Sequence, residues 1–131
     1  MMWRRYLIGS VSIVVCGVAV LFLSLDSSTY SDSGATDMRG QREVSIVLTD
    51  AGFRPERVIV DVGTTLIFTT TRDKPFWPGS NPHPSHTLYP ELDPKDVIPA
   101  NASWIFVAEQ PGVWGYHDHI RSYFTGVVIV K

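Results

Sequence analysis

Seven short runs of β-branched or alternating apolar residues, separated by Gly and Pro, dominate the last two thirds of this chain. They are Val44–Thr49, Arg57–Val60, Thr64–Thr71, His86–Tyr89, Ser103–Ala108, Val113–His119 and Gly126–Val130. Period-two alternation is typical of half-buried strands, and none of this region repeats with a helical period. The pattern predicts an all-β sandwich of two sheets, with a core that includes Phe53, Phe68, Trp104, Phe106 and Trp114.

A different kind of segment precedes these strands. Residues 7–25 carry no charge, and as a helix they would span roughly 28 Å, close to the thickness of a bilayer's hydrocarbon core. Arg4 and Arg5 come just before the run, so positive charge is expected to keep the N-terminus in the cytoplasm. We therefore predict that residues 1–25 form a transmembrane helix acting as an uncleaved signal anchor, with the rest of the chain extracytoplasmic. A cleaved signal peptide is the alternative.

Residues 26–42 are rich in Ser, Asp, Thr and Gly and predict a flexible linker, which leaves residues 43–131 as the single folded domain. The net charge of -2 and the pI near 6.0 argue against a nucleic-acid partner, which requires a basic face. The one cysteine, Cys16, excludes an intramolecular disulfide and a cluster of thiolate metal ligands.

The domain resembles a cupredoxin. The segment Gly52-Phe53-Arg54-Pro55-Glu56 and the strands after it resemble the opening of that family, with its Phe-x-Pro turn. Gln110–Tyr116 and Thr125–Val130 resemble its last two strands. The resemblance covers nearly all of residues 43–131. It implies a Greek-key β-sandwich with a copper site at one end.

All four histidines of the chain fall into two short motifs, His83-Pro84-Ser85-His86 and His117-Asp118-His119. Neutral imidazole binds copper, zinc, iron and nickel well. Because His117 and His119 are two apart on a predicted strand, their side chains are expected to leave the same face. The cupredoxin-like frame would bring both motifs to one end, so we predict a metal site formed by His83, His86, His117 and His119. Histidines that only form hydrogen bonds are the alternative.

The departures from the family change the expected chemistry. A blue copper site needs a thiolate, two imidazoles and often a weak axial Met. In an alignment on Thr125-Gly126, Asp118 stands at the cysteine position, Arg121 at the following histidine and Phe124 at the methionine. The resemblance therefore implies a cupredoxin-like domain with a His-only, non-blue metal site, which is unsuited to simple electron shuttling.

Both histidine motifs also resemble those of multicopper oxidases, H-P-x-H-x-H and H-C-H-I. This resemblance implies that His86, His117 and His119 face a cluster-like side, and that His83 and Asp118 correspond to the blue-copper side. Leu88 stands in place of the last histidine of the first motif. A complete trinuclear cluster therefore cannot be formed by one copy of this chain.

These observations lead to two functional hypotheses. The first is a membrane-anchored, extracytoplasmic copper-binding protein, with zinc as the rival metal. The second is a copper oxidoreductase that acts on a small molecule at an open histidine-ligated position, possible only as an oligomer if it needs a cluster. The sequence identifies no catalytic residue and no protein partner.

Two further expectations concern residues near the histidines. Phe76-Trp77-Pro78 is expected to form an apolar lip beside the site, and Asp118 is expected to pair with Arg121 or His83.

Overall fold

The computed structural model describes residues 32–131, which form two β-sheets and no helix. The predicted transmembrane segment and the first part of the predicted linker lie outside the described residues. Within residues 32–131, no helix is long and apolar enough to span a membrane. The strands, in chain order, are β1 (Thr36–Asp37), β2 (Glu43–Thr49), β3 (Gly52–Arg54), β4 (Arg57–Val60), β5 (Thr64–Thr70), β6 (Pro78–Ser80), β7 (Trp104–Ala108), β8 (Gly112–Asp118) and β9 (Arg121–Val130).

One sheet has the strand order β1-β4-β9-β8-β6 and the other has the order β3-β2-β5-β7. Strand β4 runs parallel to β9, and β2 runs parallel to β5, whereas β8 pairs antiparallel with both β6 and β9. The left-handed backbone of Gly63, with φ 87°, makes the tight turn from β4 into β5. The arrangement confirms the predicted all-β sandwich.

The core lies between the two sheets and follows directly from the alternation in the sequence. In β2 every second residue is buried, namely Val44, Ile46 and Leu48. The Tyr116 ring of one sheet meets Phe53 and Phe68 of the other at centroid distances of 4.9 and 5.5 Å. As predicted, Phe53, Phe68 and Phe106 are buried in the core, while Trp104 and Trp114 are partly buried and pack against it.

The predicted strand His86–Tyr89 is wrong. His86 has a left-handed backbone, with φ 52°, and the segment from residue 81 to 90 is an irregular loop. Pro82, Pro84 and Pro90 flank this short segment and have no backbone N–H, so the pairing of a strand could not continue on either side of it. The backbone instead bonds within the loop, where Leu88 N–H donates to the Asn81 carbonyl over 2.7 Å.

Three strands were not predicted. Pro78–Ser80 forms β6 at the edge of a sheet, where a proline at the first residue is tolerated. Strand β3 occupies part of the segment interpreted as a turn. Strand β1 falls within the predicted linker 26–42 and pairs in parallel with β4, so the described fold includes chain before residue 43. Strand β9 also begins at Arg121, five residues before the predicted start at Gly126.

Candidate metal centre

The four histidines of the two motifs meet at one end of the sandwich. His83 and His86 lie on the loop after β6, His117 lies near the end of β8, and His119 lies in the turn that leads to β9. One ring nitrogen from each histidine lies within 4.8 Å of the others. The closest approaches are 3.1 Å, from His83 Nδ1 to His117 Nε2, and 3.0 Å, from His119 Nδ1 to His86 Nε2. His86 and His117 are buried, His119 is half-buried and His83 is exposed.

Two of these rings are oriented by acceptors behind them. His86 donates from Nδ1 to Oδ2 of Asp93 over 2.7 Å, and His117 donates from Nδ1 to Oδ1 of Asn81 over 2.9 Å. A neutral imidazole that donates from Nδ1 carries its lone pair on Nε2. The Nε2 lone pairs of His86 and His117 therefore face the other two histidines, which donate to them from Nδ1. The protein alone thus holds two ligand nitrogens in the form that a metal requires.

The surroundings keep His117 and His119 neutral. Burial is the main cause, and together with the neighbouring imidazoles of His86, His83 and His119 it lowers the pKa of His117 to about 4. Burial also lowers the pKa of His119, again with help from His86 and His83. Because a metal binds only the unprotonated ring, both side chains are available as ligands near neutral pH.

Asp93 connects several parts of the site. Its Oδ1 accepts hydrogen bonds from the Trp77 indole Nε1 and from the Lys95 backbone amide, both at 2.8 Å. Its Oδ2 lies 3.0 Å from Lys95 Nζ in addition to its bond with His86. Burial raises the pKa of Asp93, but the hydrogen bonds from His86, Trp77 and Lys95 outweigh burial and bring the pKa below its usual range. A carboxylate anion therefore stands directly behind His86.

Of the three residues predicted to form an apolar lip, Phe76, Trp77 and Pro78, it is Trp77 that packs against a histidine of the site. The Trp77 ring lies against His119, with centroids 4.5 Å apart and planes tilted by 32°. The backbone N–H of His119 donates to the Trp77 carbonyl over 2.7 Å. Phe76 is instead fully buried in the core, and Pro78 begins β6. Trp77 thus supports one histidine from the side while it bonds to the carboxylate that orients another.

Asp118 lies apart from the cluster and has two partners of its own. Its Oδ1 accepts from the Trp77 backbone N–H over 2.8 Å, and its Oδ2 accepts from Arg121 Nη1 over 2.9 Å. The pairing predicted with Arg121 is present. His83, however, lies in the same cluster as His117 and His119, with centroids 5.1 and 4.7 Å from theirs. The division that the oxidase resemblance implied, with His83 on another side, does not describe this site.

Two glycines make room for the cluster. Gly79 of β6 pairs with His117 of β8, and a Cβ atom at Gly79 would lie 2.4 Å from Cε1 of His86. A Cβ atom at Gly115 would lie 2.6 Å from Nδ2 of Asn81, the residue that orients His117. The absence of side chains at these two positions lets the His86 ring and the Asn81 amide lie close to the sheet.

Sequence reasoning found the four histidines but not the residues that orient them: Asn81, Asp93, Trp77 in its bonding role, Gly79 and Gly115. Only Asn81 could have been suspected from the sequence, because it lies two residues before His83 and is therefore close to the first motif. Nothing in the local sequence links Asp93 to His86 or Gly115 to Asn81, because these contacts depend on how the loop folds back on the sheet.

The donor set fits a metal ion. Imidazole nitrogens bind Zn²⁺ at about 2.0–2.1 Å, which places tetrahedral donors about 3.3 Å apart. The closest inward-facing nitrogens lie 3.0 and 3.1 Å apart, and none of the four is beyond 4.8 Å from another. Small ring movements would bring all four within reach of one ion. An all-imidazole set suits copper and zinc, among the common biological metals.

Comparison with known proteins finds similarity of structure only, since no family model and no curated protein matches the sequence. A purple cupredoxin from Nitrosopumilus maritimus matches with a TM-score of 0.55 and 17% identity, over 67% of this chain and 99% of that one. An amicyanin mutant, P94F, matches with a TM-score of 0.58 and 14% identity, over 68% of this chain and 82% of that one. A mutant plastocyanin of fern matches with a TM-score of 0.54 and 19% identity, over 67% and 100%.

A larger protein also contains this fold. The copper-containing nitrite reductase from Thermus scotoductus SA-01 matches with a TM-score of 0.55 and 17% identity, over 68% of this chain but 22% of its own. At these identities the matches establish the fold alone. The described domain has the cupredoxin-like fold, and since Cys16 is the only cysteine of the chain, that domain has no thiolate to offer a metal.

Proposed function

We propose that this protein binds one copper ion at a His-only, non-blue site formed by His83, His86, His117 and His119. The observation that carries the proposal is the convergence of four imidazole nitrogens within 4.8 Å, two of them already fixed with lone pairs inward. Four imidazole rings gathered at one point have no evident structural purpose that apolar residues would not serve equally well. A metal supplies that purpose.

Copper is favoured over zinc for two reasons. Imidazole sites hold Cu²⁺ more tightly than Zn²⁺ in the general affinity order of divalent metals. Several structural neighbours are described as copper proteins, among them Cu(I) forms of amicyanin mutants and the nitrite reductase of Thermus scotoductus.

The uncharged run 7–25, preceded by Arg4 and Arg5, supports a location on the outer face of a membrane.

Metal analysis with electron paramagnetic resonance of the copper-loaded full chain tests the site. We expect about one copper per chain, nitrogen hyperfine splitting and no intense blue band, because no thiolate ligand is present. Zinc in equal free concentration should not displace the copper. An intense blue colour would contradict the His-only assignment, and failure of copper to displace zinc would make this a zinc site. Separation of membranes from soluble extract, before and after alkaline washing, tests the anchor.

A second function is an oxidoreductase that acts on a small molecule. The exposure of His83 favours it, because a ligand at the solvent edge can leave or yield a coordination position. A catalytic version that needs a multi-copper cluster would have to be an oligomer, since one chain supplies four histidines. Azide titration and sedimentation of the copper-loaded protein separate the two functions. A monomer whose spectrum azide leaves unchanged supports binding alone.

A further inference from the structure

We propose that Asp93 is the positioning residue of this site, holding His86 and His119 as copper ligands and lowering the reduction potential of the bound ion. This inference rests on the proposed copper site, and none of the sequence motifs includes Asp93. It follows from the two oxygens of one carboxylate, of which one bonds to His86 and the other bonds to the Trp77 indole that lies against His119.

The first contact is direct. Oδ2 of Asp93 lies 2.7 Å from Nδ1 of His86, and the two side chains are only 6% and 3% exposed. The carboxylate can only accept, so it holds the His86 proton on Nδ1 and leaves Nε2 free for the metal. A carboxylate behind a ligating imidazole fixes its tautomer, fixes its ring orientation and raises its basicity.

The second contact runs through Trp77. Oδ1 of Asp93 accepts from the indole Nε1 over 2.8 Å, and the indole lies against the His119 ring at 4.5 Å between centroids. The position of the indole, and with it the lateral support of His119, therefore depends on Asp93. Each oxygen of the carboxylate thus serves a different ligand.

The carboxylate itself is held in place by Lys95. The Lys95 backbone N–H donates to Oδ1 over 2.8 Å, and its ammonium group lies 3.0 Å from Oδ2. Lys95 adopts a left-handed backbone, with φ 64°, which side-chain-bearing residues seldom adopt without compensation. These bonds prevent Asp93 from turning away into solvent.

The charge of Asp93 has a consequence for the metal's oxidation state. A buried anion one imidazole away from the ion stabilises Cu²⁺ more than Cu⁺, because the attraction scales with the charge of the ion. Each tenfold preference in affinity for Cu²⁺ over Cu⁺ corresponds to about 59 mV in a one-electron potential. Asp93 should therefore lower the potential and favour the oxidised ion.

The test compares Asp93→Asn with Asp96→Asn in the full chain. An amide at position 93 can accept from only one of His86 and Trp77, since its other atom is itself a donor. Asp96 provides a matched control, as an exposed carboxylate three residues along the same loop that bonds to the Val97 amide. Three measurements apply to each variant: Cu²⁺ affinity by chelator competition, the copper reduction potential, and the histidine tautomers of the metal-free protein by ¹⁵N NMR.

We expect Asp93→Asn to lose about 10–100-fold in Cu²⁺ affinity, as outer-shell changes do. The potential should rise, and the His86 tautomer or the indole Nε1 proton resonance should change. Asp96→Asn should match the wild type in all three. If the wild type binds copper and Asp93→Asn retains its affinity, potential and tautomers, the role of Asp93 is refuted. If the wild type binds no copper, the proposed function fails instead, and the NMR measurement then decides whether Asp93 orients His86 at all.

Discussion

Gly79→Ala is expected to abolish tight copper binding while leaving the sandwich folded. The added Cβ atom would lie 2.4 Å from Cε1 of the His86 ring and 2.7 Å from each ring nitrogen. Ordinary van der Waals contact begins near 3.4 Å, so the ring would have to move by about 1 Å. Metal–ligand distances tolerate only about 0.2 Å of error. The methyl group would occupy the space in which the His86 ring now lies, and the small movements that complete the site cannot compensate for a displacement of this size.

Two hydrogen bonds prevent the His86 ring from moving easily away from a side chain at position 79. Its Nδ1 atom is bonded to Asp93, whose side chain is 6% exposed, and its backbone carbonyl accepts a hydrogen bond from the buried Ser80 hydroxyl over 2.9 Å. We expect the copper affinity of Gly79→Ala to fall by more than the roughly 10–100-fold that follows loss of an outer-shell partner. Overpacking of this kind costs about 1–3 kcal/mol of unfolding free energy.

Gly63→Ala is the matched control. A Cβ atom at Gly63 meets no atom within 4 Å, but its φ of 87° makes any side chain strained there, at a cost of about 1–2 kcal/mol. The two variants should lose similar stability in urea unfolding, whereas only Gly79→Ala should lose copper in a chelator competition. Wild-type copper affinity in Gly79→Ala, or equal losses of affinity in both variants, would refute the proposed packing of His86 against β6.

Three further predictions concern other parts of the domain. His83→Ala should weaken copper binding less than His86→Ala, because His83 is exposed and, within residues 32–131, has no acceptor behind its ring comparable to Asp93; equal losses in a chelator competition would contradict this. The metal-free protein should lose stability as the pH falls from about 6.5 towards 4, because the folded-state pKa of His117, about 4, lies below its unfolded value, so protons favour the unfolded chain. A melting temperature that stays constant across that range would oppose this assignment. Tyr116→Phe should leave copper affinity unchanged and raise stability by up to about 1 kcal/mol in urea, because the buried Tyr116 hydroxyl has no hydrogen-bond partner among the described residues; a loss of stability would show that the hydroxyl has a partner.

The fold could be predicted from the sequence because its strands are strongly patterned. Alternation in Val44–Thr49 and the β-branched run Arg57–Val60 identify β2 and β4 without any knowledge of tertiary contacts. Pro78–Ser80 shows no such pattern, since Pro and Gly are depleted in strands. That segment is a strand because β8 lies beside it, and such an influence of the surrounding fold is invisible in local sequence.

The candidate site, too, could be predicted only in part from the sequence. Histidines in short motifs are conspicuous, so the sequence alone predicts His83, His86, His117 and His119 as a set. The conformation of the loop around the first motif could not be predicted, because Thr87 and Tyr89 are residue types that favour strands, while the flanking prolines and the hydrogen bonds that close the loop decide otherwise.

The four histidines differ in how firmly the protein holds them, and this difference bears on what the site can do. His86 and His117 are buried and each has an acceptor behind Nδ1, while His119 has a backbone bond to Trp77 and the indole ring beside it. His83 is exposed, and its one ring hydrogen bond among the described residues is to another histidine of the cluster, His117. A site with three firmly held ligands and one at the solvent edge can admit an ion without local unfolding, because the exposed side chain can move aside while the other three rings need only small movements. Capture and release through His83 therefore fit a copper-binding protein, and the same open edge is what a small-molecule substrate would need.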